Sequence, residues 1–199
     1  MKICFLTGLI ASGKSSVLEQ LKKKGCQTIS MDTLAREVVK SGSPCLERIV
    51  KAFGPEVLLP GTCELNRSYL ASVVFGDAEA LKRLEAIELP AILRLLEERL
   101  EQMEEGSCVA EEPCVVEVPV LSQMSHLSFE VDEVVYLKVP SEVREYRALQ
   151  RGMEVGDFRA RNALLPAESY LEEKSTIVLD GIANLSPEMI ADMILDLVK

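Results

Sequence analysis

The sequence predicts an α/β protein in which a parallel sheet of five strands carries helices on both faces. Three observations point there. Short apolar runs recur at residues 2–6, 27–30, 114–118, 131–139 and 176–179, and strands covered on both sides read as continuous rather than alternating apolar runs. Segments with helical spacing separate them, as the crossovers of a parallel sheet require. The first run leads straight into Gly8-Leu9-Ile10-Ala11-Ser12-Gly13-Lys14-Ser15, a glycine-rich turn at the start of a helix.

Taken in order, residues 2–6 make the first strand, and residues 15–24 a helix that turns Val17, Leu18 and Leu21 inward and stops at Gly25. A weak second strand at 27–30 is followed by a second helix at 32–40. Ser43-Pro44 opens a third helix, since proline is tolerated at the first helical position, and Gly54-Pro55 breaks it after Phe53. Residues 66–102 read as mainly helical, with Leu84, Ile87, Ala91 and Leu95 at three- and four-residue spacing and Pro90 placed to kink the run. No strand signal interrupts this stretch, so it is expected to be a helical insertion over about residues 60–110.

Strands resume at 114–118 and within 131–139, the second two or three residues shorter than its apolar run. Residues 141–151 and 156–164 are helix candidates rich in arginine, and 176–179 is the last strand. Ser186-Pro187 opens the closing helix, whose Ile190, Met193, Ile194 and Leu197 are expected to form one apolar stripe. At 199 residues, without repeats or low-complexity segments, the chain is expected to be a single domain spanning 1–199 with an inserted segment.

Composition narrows the function. The 48% apolar and 27% charged residues describe a packed globular protein, and no apolar run is long enough to span a bilayer. Without a signal peptide's apolar stretch, the expected setting is the cytoplasm. A formal net charge of −10 argues against nucleic-acid or anionic-membrane partners. An anionic small molecule must therefore meet a local cluster of Lys and Arg. The six cysteines, at 4, 26, 45, 63, 108 and 114, contain no CxxC pair, and the only histidine is His126. That pattern argues against zinc and for reduced, structural thiols, with His126 an ordinary loop residue.

The loop carries the chemistry. Gly8, Gly13, Lys14 and Ser15 complete the pattern G-x-x-x-x-G-K-[ST] between a strand and a helix. Its N–H groups and the helix N-terminus point at phosphate oxygens, Lys14 adds positive charge, and the Ser15 hydroxyl can ligate Mg²⁺. Ala11 stands where many such loops have glycine; its methyl narrows the allowed backbone angles without removing a donor.

Phosphoryl transfer needs more than a loop: a group to take the acceptor's proton, and further cations. Asp32, at the end of the second strand, lies where a doubly wound sheet places its ligand crevice. It can serve as that base, or simply cap the next helix. Arg36, one turn on, can bind a substrate phosphate or pair with Asp32 or Glu37. Arg147 and Arg151, on one helix face, can reach one polyanion or remain solvated.

As a set these residues resemble the dephospho-CoA kinase family. The resemblance rests on "LTGLIASGKSSV", "ISMDTLAREVV", "FGPEVLLPGTCELNRSYLASVVF", "LKRLEAIELPAI", "VVEVPVL" and "YRALQRG", and it spans nearly the whole chain. It implies a three-layer α/β/α P-loop kinase fold with a helical substrate-binding insertion and a lid at about 141–165. It also implies ATP-dependent phosphorylation of the ribose 3′-hydroxyl of dephospho-CoA, with ATP and Mg²⁺ as cofactors. In that frame ATP phosphates bind at Ala11, Ser12, Gly13, Lys14, Ser15 and Ser16, with Mg²⁺ on Ser15 and Lys14 aiding transfer. Asp32 is the catalytic base, Arg36 and Arg67 belong with Asp32 to the acceptor site, and Arg147 and Arg151 to the lid over ATP. The protein would act as a monomer or weak homo-oligomer.

The chain departs from the family pattern in several places. Ser30-Met31-Asp32 replaces Asp-x-Asp, Leu89-Pro90 replaces His-Pro, and Glu117 stands for an aspartate. The family's C-terminal glutamine and Ala-Asp…Asn motif fall near Leu164, Ser175-Thr176 and Gly181. Two alternatives stay open: another small-molecule or nucleoside kinase on the same fold, or a nucleotide-binding module with little catalysis.

Overall fold

Strand β1 (Ile3–Thr7) is buried along its whole length, as expected of a central strand. In this computed structural model, residues 1–74, 77–106, 113–124 and 127–198 are described; Cys108, His126 and Phe75 fall outside them. The chain divides into a sheet unit, Met1–Ser30 with Met103–Lys199, and a helical unit, Met31–Gln102. In the sheet unit β1 is followed by α1 (Lys14–Lys23) and β2 (Gln27–Ser30). The helical unit holds α2 (Met31–Glu37), α3 (Pro44–Phe53), α4 (Arg67–Val74) and most of α5 (Ala78–Gly106). The sheet unit resumes with β3 (Cys114–Glu117), β4 (Glu133–Leu137), α6 (Ser141–Gln150), α7 (Val155–Ala163), α8 (Glu168–Lys174), β5 (Ile177–Leu179) and α9 (Pro187–Val198).

All five strands are parallel, in the order β2-β3-β1-β4-β5. The order reverses at β1, which places a ligand crevice beyond the carboxyl end of that strand. The register puts Leu6, Glu117 and Ser30 on one rung there. On one face Cys4, Leu6, Val115, Val135 and Leu137 pack with Val17 and Leu21 of α1 and Ile190, Ile194 and Val198 of α9. On the other face Tyr136 packs against Leu9 and Leu171 of α8. There Phe5 also meets Phe129 edge-on at 6.4 Å. Burial pushes the thiols of Cys4 and Cys114 up to about 12, which keeps them protonated and unreactive at neutral pH.

The helical unit has its own core, built from Val39, Cys45, Ile49, Val57, Leu70, Val74, Ala80 and Leu84. Ser43 caps α3 by accepting the Leu46 N–H at 3.1 Å, Pro44 occupies its first turn, and Gly54 ends it at a positive φ of 88°. Helix α5 runs through Pro90, which has no N–H to give the Ala86 carbonyl. Arg99 ties α5 to α2 through Glu37 at 2.7 Å.

Three expectations need revision. The helical unit begins at Met31, so α2 and α3 join the helices expected at about 60–110. Helix α8 is an addition; it is seven residues long and buries Leu171 alone. On α9 the buried stripe is Ile190, Ala191, Ile194 and Val198, whereas Met193 and Leu197 are exposed. No helix among the described residues is long and apolar enough to cross a membrane.

Candidate active site

The turn from β1 into α1 is shaped by close approach as much as by flexibility. A Cβ on Gly8 would lie 2.6 Å from the Ser12 hydroxyl and 3.2 Å from the Leu137 carbonyl, so only glycine leaves room for the loop to fold over itself. Gly13 occupies the left-handed region at φ 101°. Ala11, at φ 61°, is the one non-glycine residue with positive φ among the described residues, a strain of about 1–2 kcal/mol for an L-residue. The loop therefore holds its conformation against local preference.

Helix α1 begins at Lys14 with no side-chain cap and no acidic residue in its first turn. Its first N–H groups and the positive end of its dipole are thus left for an anion. The Lys14 ammonium donates to the carbonyls of Gly8 at 2.7 Å and Leu9 at 3.3 Å, which folds it back over the loop. The Ser15 hydroxyl donates to Glu117 Oε1 at 2.7 Å. Glu117 is only 4% exposed. It ends β3 with its side chain on the α1 face because Val115, two residues earlier, already faces that core. The hydroxyls of Thr7 and Ser12 are buried without a hydrogen-bond partner among the described residues.

Helix α6 brings the arginines. Arg147 spans two segments, donating to the Ser12 carbonyl at 3.1 Å and to the Ala183 carbonyl at 2.8 Å. Arg151 follows the end of α6 and lines the same cavity as Ser12 and Gly13. Behind them Arg144, 2% exposed, donates to the Val139 carbonyl at 3.0 Å, Asn162 Oδ1 at 2.6 Å and Glu168 Oε1 at 3.3 Å. One buried guanidinium therefore joins the segment before α6 to α7 and α8.

The structure brings Ala11, Ser12, Gly13, Lys14, Ser15, Ser16, Arg147 and Arg151 together in the sheet unit. Asp32, Arg36 and Arg67 belong to the helical unit. Asp32 lies inside the first turn of α2, which starts at Met31, so its carboxylate is not the helix cap. Its side chain and that of Arg36 are exposed, with no hydrogen bond or ion pair among the described residues. Arg67 opens α4 and acts on Glu88 of α5: burial pushes the Glu88 carboxyl up, and the Arg67 charge partly offsets that.

A parallel sheet in this order, with a phosphate-gripping loop beyond its central strand, defines the class of P-loop phosphotransferases. Comparison with known proteins narrows the class: the sequence profile of the dephospho-CoA kinase family matches residues 2–185, and the chain belongs to that family. The dephospho-CoA kinase of Geobacter sulfurreducens is 38% identical over 198 residues, covering 94% of this chain and 92% of that protein. That of Thermobifida fusca is 36% identical over 177 residues, covering 88% and 85%. The crystal structure of TT1252 from Thermus thermophilus superposes with a TM-score of 0.79 at 28% identity, covering 100% of this chain and 98% of that one.

Two residues carry more than the sequence assigned them. Glu117 stood out only as a departure from an aspartate, because its hydroxyl partner is 102 positions away. Arg144 sits in a run, "SEVREYRALQ", that reads as solvent-facing. Nothing in the spacing separates it from Arg147.

Proposed function

We propose that the protein transfers the γ-phosphoryl group of ATP to the ribose 3′-hydroxyl of dephospho-CoA, giving CoA and ADP. The carrying observation is the Ser15–Glu117 pair at the start of α1, 2.7 Å between oxygens, with Glu117 buried and Ser15 open to solvent, next to an uncapped helix N-terminus. A hydroxyl and a carboxylate are hard oxygen donors, the set that suits Mg²⁺, an ion that takes few protein ligands and completes its shell with phosphate and water. Ser15 would hold the ion directly and Glu117 would orient the hydroxyl and its water. When bound, the ion supplies charge neutralisation on the phosphates.

The remaining steps fall to the chain's own groups. Loop N–H groups and Lys14 orient the phosphates in line with the acceptor. Asp32 accepts the 3′-hydroxyl proton as the new O–P bond forms and the bond from the γ-phosphorus to the β,γ-bridging oxygen breaks, with ADP leaving. Arg36 and Arg67 bind the acceptor's phosphates, Arg147 and Arg151 those of ATP. The helices after Ser141 form a lid that excludes water, so that ATP is not hydrolysed.

The test is to incubate the purified protein with Mg²⁺-ATP and dephospho-CoA and follow products by mass. CoA and ADP should appear in equal amounts, and Lys14→Ala should lower turnover about 100- to 1,000-fold. Nucleotide binding without CoA formation would overturn the reading and favour a binding module or another acceptor.

A further inference from the structure

A cavity of about 320 Å³ opens beside the phosphate loop of the sheet unit. That is near the lower end of small-molecule sites, which run about 300–1,000 Å³, and it suits one flat heterocycle. It touches the loop at Ser12 and Gly13, so a ligand whose phosphates sit on the loop places its next part here. Val17, Leu185, Pro187 and Ile190 give it an apolar wall. Tyr146, 63% exposed, stands at the rim from α6.

The polar groups around this slot are few. Both terminal nitrogens of Arg147 are engaged, on the Ser12 and Ala183 carbonyls. The Leu185 N–H is bonded to the Ile182 carbonyl. Among the described residues no carboxylate lines the cavity. Ser12 and Ser16, which also line it, belong to the loop and the first turn of α1, and Arg151 follows the end of α6. Gln150, exposed at the last position of α6 and without a hydrogen-bond partner among the described residues, offers a side-chain amide to the edge of a heterocycle. A carboxamide offers one acceptor and one donor side by side.

We infer that Gln150 reads the edge of the purine base and sets the preference of this site for adenine over guanine, with Tyr146 covering the base. The amide oxygen accepts from the adenine N6 amino group while the amide nitrogen donates to a ring nitrogen, the pairing for which glutamine and adenine are matched. Guanine presents an oxygen acceptor where adenine presents that amino group. A carboxylate at position 150, with acceptors alone, suits the two N–H donors of the guanine Watson–Crick edge instead. The inference rests on the reading that the loop holds a nucleoside triphosphate, but not on which acceptor is phosphorylated.

The experiment is calorimetric titration of the intact protein with Mg²⁺-ATP and with Mg²⁺-GTP, without acceptor, for the wild type, Gln150→Glu, Gln150→Ala and Tyr146→Ala. The readout is the ratio of the two dissociation constants, because an added carboxylate near the phosphates weakens both nucleotides together and leaves their ratio free of that effect. The wild type should favour ATP. Gln150→Glu should move the ratio at least about tenfold toward GTP, and Gln150→Ala should bring it toward unity, as expected for loss of a bidentate base contact. Tyr146→Ala should weaken both nucleotides with the ratio kept. A ratio unchanged in both Gln150 variants overturns the inference, as does a wild type that binds neither nucleotide. Selective binding that shifts with Gln150, in a protein that forms no CoA, upholds it while removing the proposed acceptor.

Discussion

Around the phosphate loop Lys14, Ser15 and Arg147 are already engaged with the protein, while the buried Thr7 and Ser12 hydroxyls have no partner among the described residues: Lys14 bonds two loop carbonyls, Ser15 bonds Glu117, and Arg147 bonds the Ser12 and Ala183 carbonyls. In the helical unit Asp32 and Arg36 present bare charges to solvent, with no partner among the described residues. The difference follows from what each region is built on. Loop and arginines are held by a sheet buried on both faces, where an unpaired polar group is costly. The seven-residue helix α2 buries Met31 and Leu34 and leaves Asp32 and Arg36 in water, where an unpaired charge costs little. On the proposed reading the nucleotide end is organised before substrate arrives, and the acceptor end would take its partners from the substrate.

The largest test of that contrast is Asp32→Asn. If Asp32 acts only on the acceptor, turnover should fall about 100- to 10,000-fold while the calorimetric affinity for Mg²⁺-ATP stays within about twofold of wild type. An equal loss in both would mean that the exposed carboxylate belongs to the nucleotide end after all. Next is Glu117→Gln, which keeps the shape of the Ser15 partner but removes its charge. The Mg²⁺ concentration giving half-maximal activity should rise about 10- to 100-fold, the usual effect of altering a group that orients a metal ligand. An unchanged Mg²⁺ requirement would leave Glu117 a structural partner of Ser15. The smallest effect is expected from Arg144→Ala. Removing the buried guanidinium strips partners from Asn162 and the Val139 carbonyl, so stability should drop by about 1–3 kcal/mol in denaturant unfolding. The KM for ATP should rise, with the KM for dephospho-CoA unchanged. A rise in both would show that the two ends are less separable than their local bonding indicates.

Much of the sheet unit was legible in the sequence because a strand covered on both faces leaves a plain signature. The run Ile3-Cys4-Phe5-Leu6 and the bounds of β2 at Gln27–Ser30 correspond to what the chain forms. The loop residues were legible for the same reason, since the motif's meaning depends on a strand before it and a helix after. Packing partners far apart in sequence were not. Met193 and Leu197 look like core residues because they are apolar, yet an apolar residue is free to remain at the surface. Helix α8 buries one side chain, too few to leave a periodic trace. The early start of the helical unit was hidden because α2 and α3 directly follow a strand of the sheet. Asp32 was balanced between base and cap on position alone, and only the start of α2 at Met31 removes the second role.

The shared rung of Leu6, Glu117 and Ser30 also bears on how the chain can go wrong. Side chains alternate between faces along a strand, so a slip of β3 by one residue would turn Glu117 away from Ser15 and drive Val115 and Cys114 to the wrong sides of the sheet. Core packing and the Ser15–Glu117 contact would be lost in one event. A mispaired chain would therefore not persist as a folded molecule with a weakened site; it would lose the packing that resists proteolysis as well. Quality control acting on exposed apolar surface would then remove the same molecules that lack the Ser15–Glu117 contact, and proofreading of the fold would serve as proofreading of the proposed site.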